Sequence, residues 1–135
     1  MSSPSSHAEV SVLIIDDDEF IRQTLVDILQ DRGYSVATAN HGLEALERLK
    51  FLRPHVILLD IHMPVMTGEE FRAAQRLDPS LAMIPTIVMT AADRASEAAA
   101  RLAADGSLPK PIKLRTLLSL VSRYSPGGPP GSPGP

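Results

Sequence analysis

The chain has 135 residues, no cysteine, 44% hydrophobic residues and a formal charge of −3 at pH 7. That length suits one compact domain and is too short for two. Without cysteine there is no disulfide framework, no thiolate metal site and no cysteine nucleophile. The slightly acidic balance argues against nonspecific nucleic-acid binding, which needs a basic face.

The first ten residues, MSSPSSHAEV, carry no basic start and no apolar run, so they are expected to form a flexible tail, not a signal peptide. The first apolar run, Val12-Leu13-Ile14-Ile15, reads as a strand. Ile21, Leu25, Ile28 and Leu29 then recur at helical spacing, and Gly33 follows where a helix C-terminus favours glycine. Val36-Ala37 reads as a weaker strand, and Leu43, Leu46 and Leu49 repeat on a second helix. A second strong run is Val56-Ile57-Leu58-Leu59. Thr67 with Glu70 three residues on is a capping-box pattern that opens a third helix through Leu77. Ile84 and Thr86 to Met89 make a fourth strand, and the alanine-rich stretch 95–104 a fourth helix with a Glu97/Arg101 pair. A short fifth strand lies near Ser107 to Pro109, followed by a final helix on Leu114, Leu117, Leu118 and Val121, with Pro111 near its first turn. Residues 126–135 hold five prolines and four glycines and no charge, so residues 125–135 are expected to form a tail or linker.

None of the apolar runs alternates with polar residues, so each strand is expected to be buried on both faces. The predicted fold is α/β: a doubly wound, five-stranded parallel sheet with helices on both faces, occupying residues 11–124. No apolar run exceeds about half of the roughly 20 residues that a membrane helix needs, so a cytoplasmic domain with no membrane association is expected.

In open parallel sheets, ligands bind beyond the carboxyl ends of the strands. The first strand ends in Asp16-Asp17-Asp18-Glu19, the third in Asp60, the fourth in Thr90, and the fifth leads to Lys110. Most have a plain structural use, since Asp17 or Asp18 fits the N-cap of the first helix, Thr90 a turn and Lys110 a solvated surface, but Asp60 after four consecutive apolar residues is harder to explain as structure. Their joint placement at four strand ends points to a site. Two like charges about 4 Å apart repel by roughly 4 kcal/mol at an effective dielectric near 20, so clustered carboxylates need a cation. An all-oxygen donor set suits Mg²⁺, and a carboxylate can attack phosphorus to give an aspartyl phosphate.

The motifs VLIIDDDEFIR, VILLDIHMPVMTG, IPTIVMTA and LPKPI, in this order and spacing, resemble a response-regulator receiver domain of two-component signalling, over about residues 11–124. The resemblance implies the flavodoxin-like receiver fold. It implies that Asp60 accepts a phosphoryl group from a sensor histidine kinase or histidine phosphotransfer protein. It implies that Asp17 ligates Mg²⁺ directly, that Asp16 acts mainly through water, and that the third protein ligand is the backbone carbonyl of His62. Thr90 matches the switch hydroxyl and Lys110 the lysine that pairs with the phosphoryl group, in a Lys110–Pro111 bond that is often cis in relatives. The chain is expected to be a signalling domain with self-phosphotransfer and autodephosphorylation, not an enzyme. It is expected to contact no nucleic acid directly and to be a monomer or weak dimer, with its output partner or output domain unknown.

Two departures stand out. Where relatives carry Tyr or Phe as the second half of the switch, this chain has Ser107. His62 flanks the site where relatives tune phosphoryl lifetime; its other reading is an exposed loop side chain that contributes only its carbonyl. Two other functions compete. A haloacid-dehalogenase-type phosphatase needs a second acid two residues after its nucleophile, and that position is His62. A phosphorylation-independent interaction module predicts loss of a site residue, and none is lost. Because a serine cannot fill space as a ring does, the usual aromatic route to the face of the fourth helix and fifth strand is expected to be absent or rewired. Structures with and without beryllofluoride test this, and an ordinary large shift of that face contradicts it.

Overall fold

A computed structural model describes residues 7–126. The remaining parts of the expected tails, residues 1–6 and 127–135, lie outside the described residues. The elements are β1 (Ala8–Ile15), α1 (Glu19–Asp31), β2 (Val36–Ala39), α2 (Gly42–Arg48), β3 (Leu52–Asp60), α3 (Gly68–Leu77), α4 (Pro79–Ala82), β4 (Thr86–Ala91), a 3-10 turn (Ala92–Arg94), α5 (Ala95–Arg101), β5 (Gly106–Lys110) and α6 (Leu114–Tyr124). The strands form one parallel sheet in the order β2-β1-β3-β4-β5.

The continuous apolar runs behave as their lack of alternation requires. Val12 to Ile15 and Val56 to Leu59 all have no exposed surface. Each such burial contributes about 1.5–3 kcal/mol. Leu13, Ile15, Ile57, Leu59 and Val88 face a layer of α2, α3, α4 and α5, centred on Phe71. Val12, Ile14, Val56, Leu58 and Met89 face Leu25 and Leu29 of α1 and Leu117 and Val121 of α6. The doubly wound α/β expectation is met.

Helix ends follow their local chemistry. Asp18 caps α1, its side chain accepting from the Ile21 N–H at 3.1 Å. At the other end Gly33 adopts φ 89°, while the Gly33 and Tyr34 N–H groups bond Gln30 and Leu29 carbonyls. This is a Schellman close that favours glycine. Thr67 and Glu70 form the predicted capping box at 3.1 and 2.9 Å.

Several expectations shift. β1 begins at Ala8, not beyond residue 10, because Ala8 and Glu9 pair with Leu52 and Arg53 of a longer β3. Pro54 is tolerated there because β4 joins β3 only from Ile57 on. In α2, Leu43 is 48% exposed, and Gly42, Ala45 and the capping Leu49 face inward instead. Leu114 is likewise 47% exposed, and α6 turns Leu117, Leu120 and Val121 inward. Asp78 caps an unforeseen short helix, α4, with Pro79 in its first turn. Helix α5 stops at Arg101, short of Ala104, because Ala103 takes φ 53°.

That last stop is held by a buried arginine. Arg72 of α3 is 7% exposed and donates to the carbonyls of Leu102 (3.0 Å) and Ala103, to Gln75 Oε1 (2.8 Å) and to Thr86 Oγ1 (3.4 Å). Gln75 Nε2 donates in turn to Leu81 O, Ile84 O and Thr86 Oγ1. The guanidinium thus satisfies carbonyls at the end of α5 that a helix leaves without partners. It joins α3, α5 and the start of β4. Arg72→Ala is expected to lower stability by about 2–4 kcal/mol in urea unfolding, because it strands the buried Leu102 carbonyl, removes donors from Ala103 O and Gln75 Oε1, and leaves a cavity between α3 and α5. A loss under about 1 kcal/mol contradicts this account of the network.

Candidate functional site

Strands β1, β3, β4 and β5 are neighbours, so their carboxyl ends meet, as the strand-end reading requires. Asp16, Asp17, Asp60, His62, Thr90 and Lys110 line one cavity of about 560 Å³, together with Asp18, Ile21, Ala91, Asp93 and Arg94. Asp16 is fully buried, Asp60 is 4% exposed and Thr90 3%. Asp17 and His62 are exposed.

Lys110 crosses the cavity. Its Nζ donates to Asp16 Oδ2 at 3.1 Å and to Asp60 Oδ1 at 3.3 Å. The other oxygen of Asp16 accepts from the Asp18 N–H at 2.9 Å, and the Asp16 carbonyl accepts from Arg22 Nη1 at 2.8 Å. Asp18 is committed to capping α1, which leaves Asp17 free for the cavity. One oxygen from each of Asp16, Asp17 and Asp60 lies within 4.8 Å of the others. This all-oxygen set, carrying three negative charges, fits a hard divalent cation.

Burial first, then the charge of Asp16, push the Asp60 carboxyl up to about 6, against Lys110 and a backbone hydrogen bond from His62, which lower it. Burial also works against the Lys110 ammonium, but Asp60 and Asp16 outweigh it and hold its pKa above the usual lysine value. Lys110 is therefore charged at neutral pH, and Asp60 is mostly ionised. The Lys110–Pro111 bond is cis.

The backbone behind Asp60 depends on one glycine. The Gly68 N–H donates to the Ile61 carbonyl at 2.9 Å, and a Cβ on Gly68 would stand 2.7 Å from the Asp60 carbonyl oxygen and 2.8 Å from Ile61 Cα. Only glycine lets the start of α3 approach so closely.

Ser107 does not share the site cavity. It pairs with Val88 in the β4–β5 ladder and lines a separate cleft with Arg115, Arg123 and Tyr124 of α6. Of the other histidines, His41 caps α2 through Nδ1 and His55 faces Glu9 at 3.3 Å, so both have structural uses. Asp93, Arg94 and Arg22 were not anticipated at the site. The first two follow β4 within four residues of Thr90, which is the one signal that could have found them.

A five-stranded parallel sheet with acids, a threonine and a lysine gathered at its carboxyl end defines a flavodoxin-like domain of phosphoryl signalling. Residues 12–122 match the response regulator receiver domain, and the chain belongs to that family. Response regulator MprA of Mycobacterium sp. (strain KMS) is 39% identical over 130 residues, covering 92% of this chain and 56% of that protein. MprA of Mycobacterium leprae (strain TN) is 40% identical over 112 residues, covering 82% and 48%. The chain therefore spans about half the length of these relatives. Chemotaxis protein CheY4 of Vibrio cholerae superposes with TM-score 0.77 at 38% identity, covering 87% of this chain and 100% of that one. A receiver domain of sensor histidine kinase PA1611 from Pseudomonas aeruginosa, whose structure has a magnesium ion in its active site cleft, shares the fold at 23% identity and TM-score 0.77, covering 87% and 98%. The chain is thus a phospho-accepting signalling domain.

A raised carboxyl pKa makes the folded chain bind the extra proton between about pH 4 and 6, so stability falls as pH rises through that window. Above it the Asp60 charge costs the metal-free fold roughly 3 kcal/mol. In chelator, Asp60→Asn is expected to raise Tm by several degrees at pH 7.5 and by almost nothing below about pH 4. Thermal melts across pH check this, and a gain that persists at low pH contradicts it.

Proposed function

We propose that Asp60 is the phosphoryl acceptor, that Asp16, Asp17, Asp60 and the His62 backbone carbonyl hold Mg²⁺, and that Thr90 and Lys110 bind oxygens of the transferred group. The observation that carries this reading is the meeting of residues 50 and 94 positions apart: Lys110 on Asp60 and Asp16, beside a third carboxylate. When bound, the cation neutralises the carboxylates and the phosphoryl oxygens during transfer.

The chain's own residues do the rest. A carboxylate oxygen of Asp60 attacks phosphorus on a phosphohistidine partner. The new P–O bond forms as the P–N bond breaks, and its electron pair goes to the imidazole nitrogen; the ring leaves neutral when its other nitrogen is protonated. Asp60 gives up no proton, because it reacts as the carboxylate that Lys110 favours. The Lys110 ammonium and the Thr90 hydroxyl supply donors to the equatorial oxygens. Thr90 suits this role: its side chain makes no hydrogen bond among the described residues, although it lines the cavity.

On this reading residues 11–124 act as the receiver, a domain with its own phosphotransfer and slow hydrolysis. It works in the cytoplasm as a monomer or weak dimer, with a sensor histidine kinase or phosphotransfer protein as donor. The additional length of the MprA relatives corresponds to an output domain. Ser107 leaves the Thr90 displacement without an aromatic follower, so its output route differs from that of relatives with a ring there.

Incubation with acetyl phosphate and Mg²⁺ is expected to add one phosphoryl mass to the intact chain. Asp60→Asn removes the gain, and Lys110→Ala slows it by at least about tenfold. Intact mass measurement decides: no gain, or a gain that survives Asp60→Asn, defeats the proposal.

A further inference from the structure

The site cavity has an unbalanced wall. Five carboxylates line it, on Asp16, Asp17, Asp18, Asp60 and Asp93, against two permanent cations, Lys110 and Arg94. Lys110 is committed to two of the acids. Arg94 is exposed, sits on the 3-10 turn directly after β4, and makes no ion pair among the described residues. Together with His62 and Thr90, Arg94 also borders a second cleft of about 390 Å³ between α3 and α5. The acids of that cleft are already matched: Arg101 holds Glu69 at 2.6 Å and Glu97 at 3.7 Å. Arg94 is thus the one lysine or arginine bordering either cavity that has no ion pair among the described residues.

We propose that Arg94 is a specificity-determining residue that draws doubly charged phosphoryl donors into the acidic cleft. This rests on the reading of Asp60 as the acceptor. The donor class is the small acyl phosphate and its kin, whose phosphoryl group enters with its full negative charge. A cleft lined by carboxylates repels such a group, and the attraction of one uncommitted guanidinium at the mouth offsets part of that repulsion. The fork of an arginine also matches two phosphoryl oxygens at once, which fixes the direction of approach. With acetyl phosphate the transfer balances simply. The P–O bond to Asp60 forms, the P–O bond to the acyl group breaks, and acetate leaves with the electron pair. No proton moves at Asp60, and Arg94 acts only on the donor before and during transfer.

The test compares donors of different charge. Second-order labelling rates are measured by intact mass at saturating Mg²⁺, with acetyl phosphate and with phosphoramidate, which carries less net negative charge. They are measured at about 20 mM and about 0.5 M KCl, where the Debye length shrinks severalfold. Arg94→Gln is expected to lower the acetyl phosphate rate about five- to tenfold at low salt and the phosphoramidate rate less than about twofold. High salt brings variant and wild type together, Arg94→Lys keeps more than half of the rate, and Tm is unchanged. The proposal is overturned if Arg94→Gln matches wild type with acetyl phosphate at low salt, or if it slows both donors equally at both salt levels. Wild type that takes no phosphoryl group from either donor instead defeats the acceptor reading of Asp60.

Discussion

The ammonium of Lys110, held between Asp16 and Asp60, is the contact on which the site depends. Two buried carboxylates this close cannot both stay charged without a cation, and burial alone pushes Asp60 toward its neutral form. Lys110 reaches both from the end of β5, the strand at the edge of the sheet. It can do so only because β1, β3, β4 and β5 lie side by side in register. The sheet order is therefore an electrostatic requirement as much as a packing outcome.

Packing in turn makes that order rigid. Each central strand buries both faces, so a slip of one residue would exchange two cores of different shape rather than expose one. Phe71 fills one side, while leucines of α1 and α6 fill the other. Gly68 lets the start of α3 lie close against the Asp60 and Ile61 main chain, while the Asp60 side chain lines the cavity. A stiff sheet thus presents reactive groups on short, constrained connections.

Much of this was legible in the amino-acid sequence, and the reasons are physical. Strands buried on both faces write themselves as unbroken apolar runs, as at Val12 to Ile15. Caps with side-chain partners, such as Thr67 and Glu70, are local in sequence and so readable. The candidate site residues were readable jointly: most alone have a structural use, but acids, a threonine and a lysine at four strand ends converge in a parallel sheet. What stayed hidden depended on distant neighbours. Leu43 looked like a core leucine, yet Gly42 faces inward, where Met66 leaves no room for a Cβ. Arg72 and Gln75 drew no reading from their local sequence, because the carbonyls they bond come from distant segments, Leu102 and Ala103 after α5 for Arg72 and Leu81 and Ile84 before β4 for Gln75. Arg94 was hidden because nothing in its neighbours says that two cavities meet beside it.

The Arg72 anchor has a mechanical meaning. It grips α5 at Leu102 and Ala103, the end remote from the site, while the 3-10 turn Ala92–Arg94 joins the other end directly to the strand that carries Thr90. Neither Ala91 nor Arg94 makes a side-chain cap at that near end, which is held instead by the burial of Ala95 and Ala98. The helix is therefore tied by directional hydrogen bonds at one end and mainly by apolar packing at the other, so its two ends resist movement by different means.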